Sequence, residues 1–392
     1  MRAARGKADG RFLLLFPVAE FLRQFRMRYL WAVLVAATAM GQSGPRVQIS
    51  HTTENLRGVS AVSRQIVWAS GTHGTYLRTI DGGRTWTPAQ VPDAGGLEFR
   101  GVVAFSADEA FLMSAGLGEQ SRIYHTGDSG RHWQLQFTNT NPKGFFDAIA
   151  FWDSKHGVVV GDPIPDESGK LKFEILLTDD GQNWKAASPV QMPAAMEGEG
   201  AFAASNSCIA IIPSASTNIW FATGGKTARL FHSVDRGQSW EAFDTPIVHG
   251  PDSAGIFSIA FRDAMHGVIS GGDYKRPNED GPNLAFTEDG GKTWTLSRLH
   301  PLAYFSAVAY DRRVNEAAIR ENSSAKKARL QPVVPERLFI VGADFVFDLR
   351  PPNDPRRIGG KKKLGIRFNA VSAYPEGGAL VVGPKGAVAF VP

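Results

Sequence analysis

Thr79-Ile-Asp81-Gly-Gly83-Arg-Thr85-Trp86 decides the fold, because the chain writes this stretch five times. The other copies are Thr126-Gly-Asp128-Ser-Gly130-Arg-His132-Trp133, Thr178-Asp-Asp180-Gly181-Gln-Asn-Trp184, Ser233-Val-Asp235-Arg-Gly237-Gln-Ser239-Trp240 and Thr287-Glu-Asp289-Gly-Gly291-Lys-Thr293-Trp294, the third being one residue short. Successive aspartates stand 47, 52, 55 and 54 positions apart. That is about the length of four short strands with their turns, so one copy marks one blade of a repeated sheet. A short carboxylate accepts main-chain N–H bonds and glycine supplies positive φ without a Cβ penalty, which is hairpin-turn chemistry. The tryptophan then starts the next strand and buries about 150–250 Å² against a neighbour.

Upstream of the motifs an alternating pattern predicts inner strands at Leu56-Arg-Gly-Val-Ser-Ala, Phe99-Arg-Gly-Val-Val-Ala-Phe, Phe145-Phe-Asp-Ala-Ile-Ala-Phe, Ala201-Phe-Ala-Ala and Ile256-Phe-Ser-Ile-Ala-Phe. Second strands ending near glycine follow, as in Ile66-Val-Trp-Ala-Ser-Gly71, Gly157-Val-Val-Val-Gly161 and Ile219-Trp-Phe-Ala-Thr-Gly224. Two further units keep these signals without the turn motif, at Tyr304–Tyr310 with Leu338–Gly342 and at Phe368–Tyr374 with Ala379–Gly383. The sum is a seven-bladed all-β propeller. Its last unit has only three strands before Pro392, and Arg46-Val-Gln-Ile-Ser50 is the natural closing strand, since it would cover two open edges. A charged insertion at 312–335 interrupts the sixth unit and reads as a surface element.

Composition agrees with this class. The 42 glycines and 23 prolines among 392 residues suit many short strands joined by tight turns. The formal charge of +5 is concentrated before residue 29, so it gives no reason to expect a nucleic-acid partner. Lys361-Lys362-Lys363 is the remaining compact basic run and reads as a solvated loop. A single cysteine, Cys208, excludes an intramolecular disulfide framework and a multi-cysteine metal site. Its apolar neighbours predict a buried thiol beside a strand.

The apolar run at 29–40 is twelve residues long, short of the roughly 20 that a membrane-spanning helix needs. Arg28 before it and Ala37-Thr38-Ala39-Met40-Gly41 after it complete a signal-peptide pattern, for which Met27 would serve as a start. The expected organisation is therefore a signal region at 1–41 and a propeller at 42–392, periplasmic or secreted and not membrane-spanning.

Loops that enter the inner strands, and those joining second to third strands, meet at one channel mouth. Three of them, at 161–170, 189–200 and 271–281, are long and belong to adjacent units. That rim is the candidate binding surface, with Arg57, Arg100, Asp147, Asp162, Glu199, Asp273 and Tyr274 as its residues. The motif aspartates Asp81, Asp128, Asp180, Asp235 and Asp289 are assigned to structure, and no residue to catalysis, metal or cofactor. Gly198-Glu-Gly200-Ala-Phe-Ala203 matches a dinucleotide fingerprint in letters but precedes a strand instead of joining strand to helix. His156-Gly157 and His266-Gly267 are repeat-equivalent turns, and no H-E-x-x-H, P-loop or G-x-S-x-G sequence occurs.

The repeated motif resembles the Asp-box of the bacterial neuraminidase repeat, S/T-x-D-x-G-x-T/S-W. With the glycine-ended strands, Trp220-Phe-Ala-Thr-Gly-Gly225 and Gly383-Pro-Lys-Gly386, residues 46–392 resemble the photosystem II stability/assembly-factor family. The resemblance implies a non-catalytic scaffold that binds a protein or glycan ligand at the rim. The alternative is a sialidase-like glycoside hydrolase working with the rim carboxylates, which would have to face one another at about 5–9.5 Å. The F/Y-R-I-P signature of sialidases is absent from the chain.

Overall fold

The computed structural model of the protein describes residues 45–212, 216–298, 303–312, 337–342, 345–349, 362–363 and 366–392. Its regular structure there is strands joined by turns and loops, with single turns of 3-10 helix at Gly118–Gln120 and Pro384–Gly386. Strand β1 (Arg46–Gln48) comes first, and β2 (Leu56–Ala61), β3 (Val67–Gly71), β4 (Thr75–Thr79) and β5 (Thr87–Gln90) then pair consecutively into an antiparallel sheet. The same meander recurs in β6 (Phe99–Ala104), β7 (Ala110–Ser114), β8 (Arg122–Thr126) and β9 (Gln134–Thr138), and in β10 (Phe146–Phe151), β11 (Gly157–Pro165), β12 (Leu171–Thr178) and β13 (Lys185–Ala186).

The next stretch holds β14 (Glu199–Gly200), β15 (Ile209–Ile211), β16 (Ile219–Ala222), β17 (Gly224–Gly225), β18 (Arg229–Ser233) and β19 (Glu241–Asp244), of which β15-β16-β18-β19 form one sheet. In the following sheet β20 (Ala254–Phe261), β21 (Gly267–Asp273), β22 (Leu284–Thr287) and β23 (Thr295–Leu296) pair in order, and β17 then β14 extend it beyond β20. After it come β24 (Phe305–Tyr310), β25 (Leu338–Gly342), β26 (Phe345–Leu349) and β27 (Lys362–Lys363). The last sheet is β28 (Ala370–Ala373), β29 (Ala379–Val382) and β30 (Val388–Val391), with β1 on the outer edge of β30 and Val47 opposite Ala389.

The sheets are held side by side by apolar cores that alternate with them around the molecule. Trp68, Phe99 and Leu112 join the first two sheets, while Phe111, Phe151 and Trp184 join the second to the third. Val160, Phe221 and Trp240 fill the next gap, followed by Trp220, Ile256 and Ile269, then by Leu284, Phe305 and Leu338. Phe339, Phe368 and Val381 carry the series to the last sheet, and Leu56, Trp86 and Leu380 return it to the first. The architecture is an all-β propeller. Second strands such as Val67–Gly71 and Leu338–Gly342 are buried at every residue, because each is covered by a neighbouring sheet on both faces.

Several sequence expectations are met at strand level and others are not. Ala201-Phe-Ala-Ala is not an inner strand: β15 takes that place eight residues later, and residues 201–206 lie outside any strand. The 161–170 stretch is largely hairpin, since β11 runs to Pro165 and pairs with β12 from Leu171. Lys362–Lys363 forms a short outer strand against β26, where a loop was expected. The signal region at 1–41 and almost all of the 312–335 insertion lie outside the described residues.

Candidate functional site at the channel mouth

The repeated turns come first, because they fix the strands that present the site. In the first copy, which joins β4 to β5, Asp81 Oδ1 accepts from the Thr79 hydroxyl at 2.8 Å and the Thr85 amide at 3.0 Å, and Oδ2 accepts from the Thr85 hydroxyl at 2.5 Å. Asp235 and Asp289 make the same three bonds with Ser233 and Ser239 and with Thr287 and Thr293. Asp128 substitutes His132 for the last threonine, and in the shortened copy Asn183 serves Asp180. These donors depress the carboxyls, Asp81 to about 2 chiefly through Thr85 and Asp128 to about 2 chiefly through His132. All five aspartates therefore spend their lone pairs inside the turn.

At the opposite end of the inner strands, the pairing with the second strand skips one residue at the same repeat position. The skips fall between Leu56 and Gly58, Phe99 and Gly101, Phe146 and Ala148, Ile256 and Ser258, and Phe305 and Ala307. A bulge leaves its extra residue unpaired and re-aims it. The residues so released are Arg57, Arg100, Asp147, Phe257 and Ser306, and all five converge on one segment, 202–205. The Ala203 carbonyl accepts from Arg100 Nη1 at 3.0 Å and from Arg57 Nη2 at 3.5 Å. The Ala203 amide lies close enough to the Asp147 carboxyl to favour its charged form. Phe202 stacks on Phe257 with centroids 4.0 Å apart and planes 10° apart, and Ser205 Oγ donates to the Ser306 carbonyl at 2.9 Å.

Around this segment Asn206, at φ 61°, bonds both backbone groups of Ile149 at 2.8 and 3.0 Å, and the Ser207 carbonyl receives the Ile259 amide at 2.7 Å. The segment fits because Gly224 and Gly255 stand opposite it. A Cβ on Gly224 would lie 2.2 Å from the Phe202 ring, and one on Gly255 would lie 2.3 Å from the Gly224 Cα. Residues 201–207 thus fill the space between the inner strands.

The electrostatics beneath the segment are unbalanced. Asp147 is 1% exposed, its Oδ2 has no hydrogen-bond partner, and burial followed by the Asp162 charge drives its carboxyl well above the usual range. Asp162 accepts the Ala201 amide at 3.0 Å, and burial raises it to about 6. Burial and then Arg100 lower Arg57, while Glu98 offers the compensating carboxylate, 3.4 Å from Arg57 and 2.8 Å from Arg100. Burial also pushes up the Cys208 thiol, with the Asp147 charge as the next cause.

Of the rim residues expected from sequence, Arg57, Arg100, Asp147 and Asp162 meet here. Glu199 does not present its carboxylate to the mouth. It is buried, with Oε2 2.5 Å from Arg229 Nη2 and Oε1 receiving the Thr223 hydroxyl at 2.7 Å. Asp273 ties down its own loop through Arg276 at 2.9 Å and the Lys275 amide at 2.9 Å, leaving Tyr274 beside it 47% exposed. The Tyr274 ring lies 6.1 Å from that of Phe257. Phe257 and Ser306 were legible by aligning the second residue of each inner strand. The Ala203 carbonyl carried no side-chain signal and was not.

No family model matches the chain. Over 120 residues, 30% of its length, it is 28% identical to the chloroplastic photosystem II stability/assembly factor HCF136 of Arabidopsis thaliana, and the match spans 27% of that relative. Among solved structures, YCF48 bound to a D1 peptide superposes with a TM-score of 0.60 at 17% identity, covering 90% of this chain and 98% of that one. The WD40 β-propeller domain of Doa1 gives 0.53 at 13% identity, with 88% and 96% covered. At such identities the structural matches speak for the fold. Taken with the aligned stretch, they make this chain a β-propeller similar to the photosystem II stability/assembly factors.

Proposed function

We propose that the protein is an exported, non-catalytic scaffold that binds a protein partner at the channel mouth. The observation that carries this reading is the convergence of five bulged residues from five inner strands on one face, with Arg57 and Arg100 gathered on the Ala203 carbonyl and the exposed Tyr274 beside them. In this reading each four-stranded sheet is one of seven blades, the repeated turns are Asp-boxes of the neuraminidase-repeat type, and β1 supplies the outer strand that closes the ring. Residues 1–41 are a signal region, 42–392 the propeller, and the destination is the periplasm or beyond. A peptide is the favoured ligand class over a glycan because the YCF48 structure holds one.

The hydrolase alternative loses support from the site itself. Asp147 and Asp162 are the two rim carboxyls that come together, and both sit under residues 201–203, Asp147 fully buried and Asp162 accepting the Ala201 amide. Glu199 is committed to Arg229.

Fluorescence anisotropy with a labelled D1 peptide tests the proposal. Saturable binding should weaken by about tenfold or more in a Tyr274→Ala/Arg100→Ala double variant and stay unchanged in Asp81→Ala. Binding that survives the first variant but vanishes in a folded Asp81→Ala protein would move the function to the outer turns. Cleavage of an aryl glycoside, abolished by Asp147→Asn, would replace the scaffold with a hydrolase.

A further inference from the structure

We propose that residues 202–207 are a stopper in the channel mouth whose hold is set by the protons on the Asp147–Asp162 carboxyl pair, so that rising pH releases it. Such a release is independent of which partner binds. The segment has no strand pairing of its own, the Ala201 amide just before it donates to Asp162 Oδ1 at 3.0 Å, and the Asp147 carboxyl, 1% exposed, lies against Ala203 with its Oδ2 unpartnered. Asp147 leads into the stopper from β10 and Asp162 from β11, so both belong to one sheet and sit close enough for the charge of one to raise the other. A buried pair of like charges cannot ionise freely, and relief comes from holding a proton or from admitting water.

The surrounding groups decide the direction. On the β2 and β6 side, Arg57 and Arg100 face Glu98, and Arg100 is the cation that acts on Asp147. Burial and Asp162 outweigh it, since the Asp147 carboxyl is driven up and not down. From β14 and β18 come Glu199 and Arg229, which neutralise each other. Cys208 leads into β15 with its thiol held protonated by burial, Tyr304 before β24 is likewise held protonated, and β20 contributes the uncharged Phe257. Among the described residues, Arg100 is the one cation that acts on Asp147, and none acts on Asp162.

The sign follows. With Asp162 raised to about 6 while closed and returned towards its ordinary value of 3.8 once hydrated, the closed state binds the extra proton. Its advantage is complete below about pH 4 and is lost as pH rises through about 6. Opening also withdraws the Ala203 carbonyl from Arg57 and Arg100, so the stopper occupies donors that a partner's carbonyl or carboxylate would otherwise use.

Hydrogen exchange measured by mass spectrometry on the full chain reads this directly. After correction for the chemical exchange rate, amides of 202–207 should be on the order of tenfold less protected at pH 7 than at pH 4.5, while those of β7 stay level. Asp162→Asn keeps an oxygen for the Ala201 amide and should abolish the difference. Should that variant fail to fold, Asp147→Asn carries the same expectation. Equal protection at both pH values, an equal change in β7, or a wild-type response in both folded asparagine variants would overturn the proposal.

Discussion

Single carboxyls in this molecule do opposite things according to what surrounds them. Asp81 and Asp128 sit in exposed turns among donors and are depressed to about 2, so the stability they contribute is present above about pH 4 and lost as pH falls towards 2. Asp162, buried under the stopper, is raised to about 6, and its contribution is lost as pH rises from about 4 through 6. Thermal midpoints followed by circular dichroism should therefore fall on both sides of a maximum near pH 4–5. Asp81→Asn should make the acid limb shallower, Asp128 and Asp289 keeping the rest, and leave the alkaline one. Glu199 is a third case, since its charge is compensated by Arg229 at 2.5 Å. Glu199→Gln leaves a buried guanidinium unpaired and should cost about 3–5 kcal/mol in urea unfolding, a loss that would also mimic a functional defect if only binding were assayed.

At the scale of the strand and turn, the repeat is a device for fixing a tryptophan between sheets. Trp240 is 1% exposed, touches Phe221 at 5.1 Å between centroids, and donates from Nε1 to the Gly237 carbonyl at 3.1 Å. Trp86 and Trp184 are also buried, whereas Trp133 and Trp294 are only partly so. Trp240→Ala should cost about 3–5 kcal/mol by chemical denaturation, and Trp133→Ala distinctly less. Equal losses would mean that the turn tolerates removal of its anchor irrespective of burial. The bulges act on the same scale in the opposite direction. They end the regular ladder one residue early and turn a strand position into a mouth position.

The molecule as a whole depends on a seam. Gln48 of β1 crosses from the last sheet to the first, donating to the Gly82 carbonyl at 3.2 Å and accepting from Trp86 Nε1 at 2.9 Å. Gln136 makes the equivalent pair of bonds with Gly181 and Trp184, so the closing contact copies an ordinary one between consecutive sheets. Removing residues 45–48 should uncover the β30 edge, and size-exclusion chromatography should then show aggregation that Gln48→Ala, which leaves the strand in place, does not. Gln48→Ala itself leaves a buried indole N–H without its partner and should cost about 1–3 kcal/mol. A truncated protein that stays monomeric with an unchanged midpoint would show that the seam is not what holds the ring.

The sequence by itself determined the repeat, and through it most of the strands. Turn chemistry and the period-2 apolar pattern are local, so β2, β6 and β25 fall within a residue of where the pattern puts them. Local signals also named Arg57, Arg100 and Asp147, because a repeat position survives as a position in space. What only the tertiary structure decided was the fourth inner strand and the fate of the carboxylates. Ala201-Phe-Ala-Ala alternates like a strand, yet its Ala203 carbonyl is taken by Arg57 and Arg100 and its Phe202 ring by Phe257, all from other sheets, and pairing passes to Ile209–Ile211. Glu199 and Asp162 are both acids in long loops. One meets Arg229 from thirty residues away and the other meets Asp147, and no local pattern encodes which long-range neighbour a side chain will find.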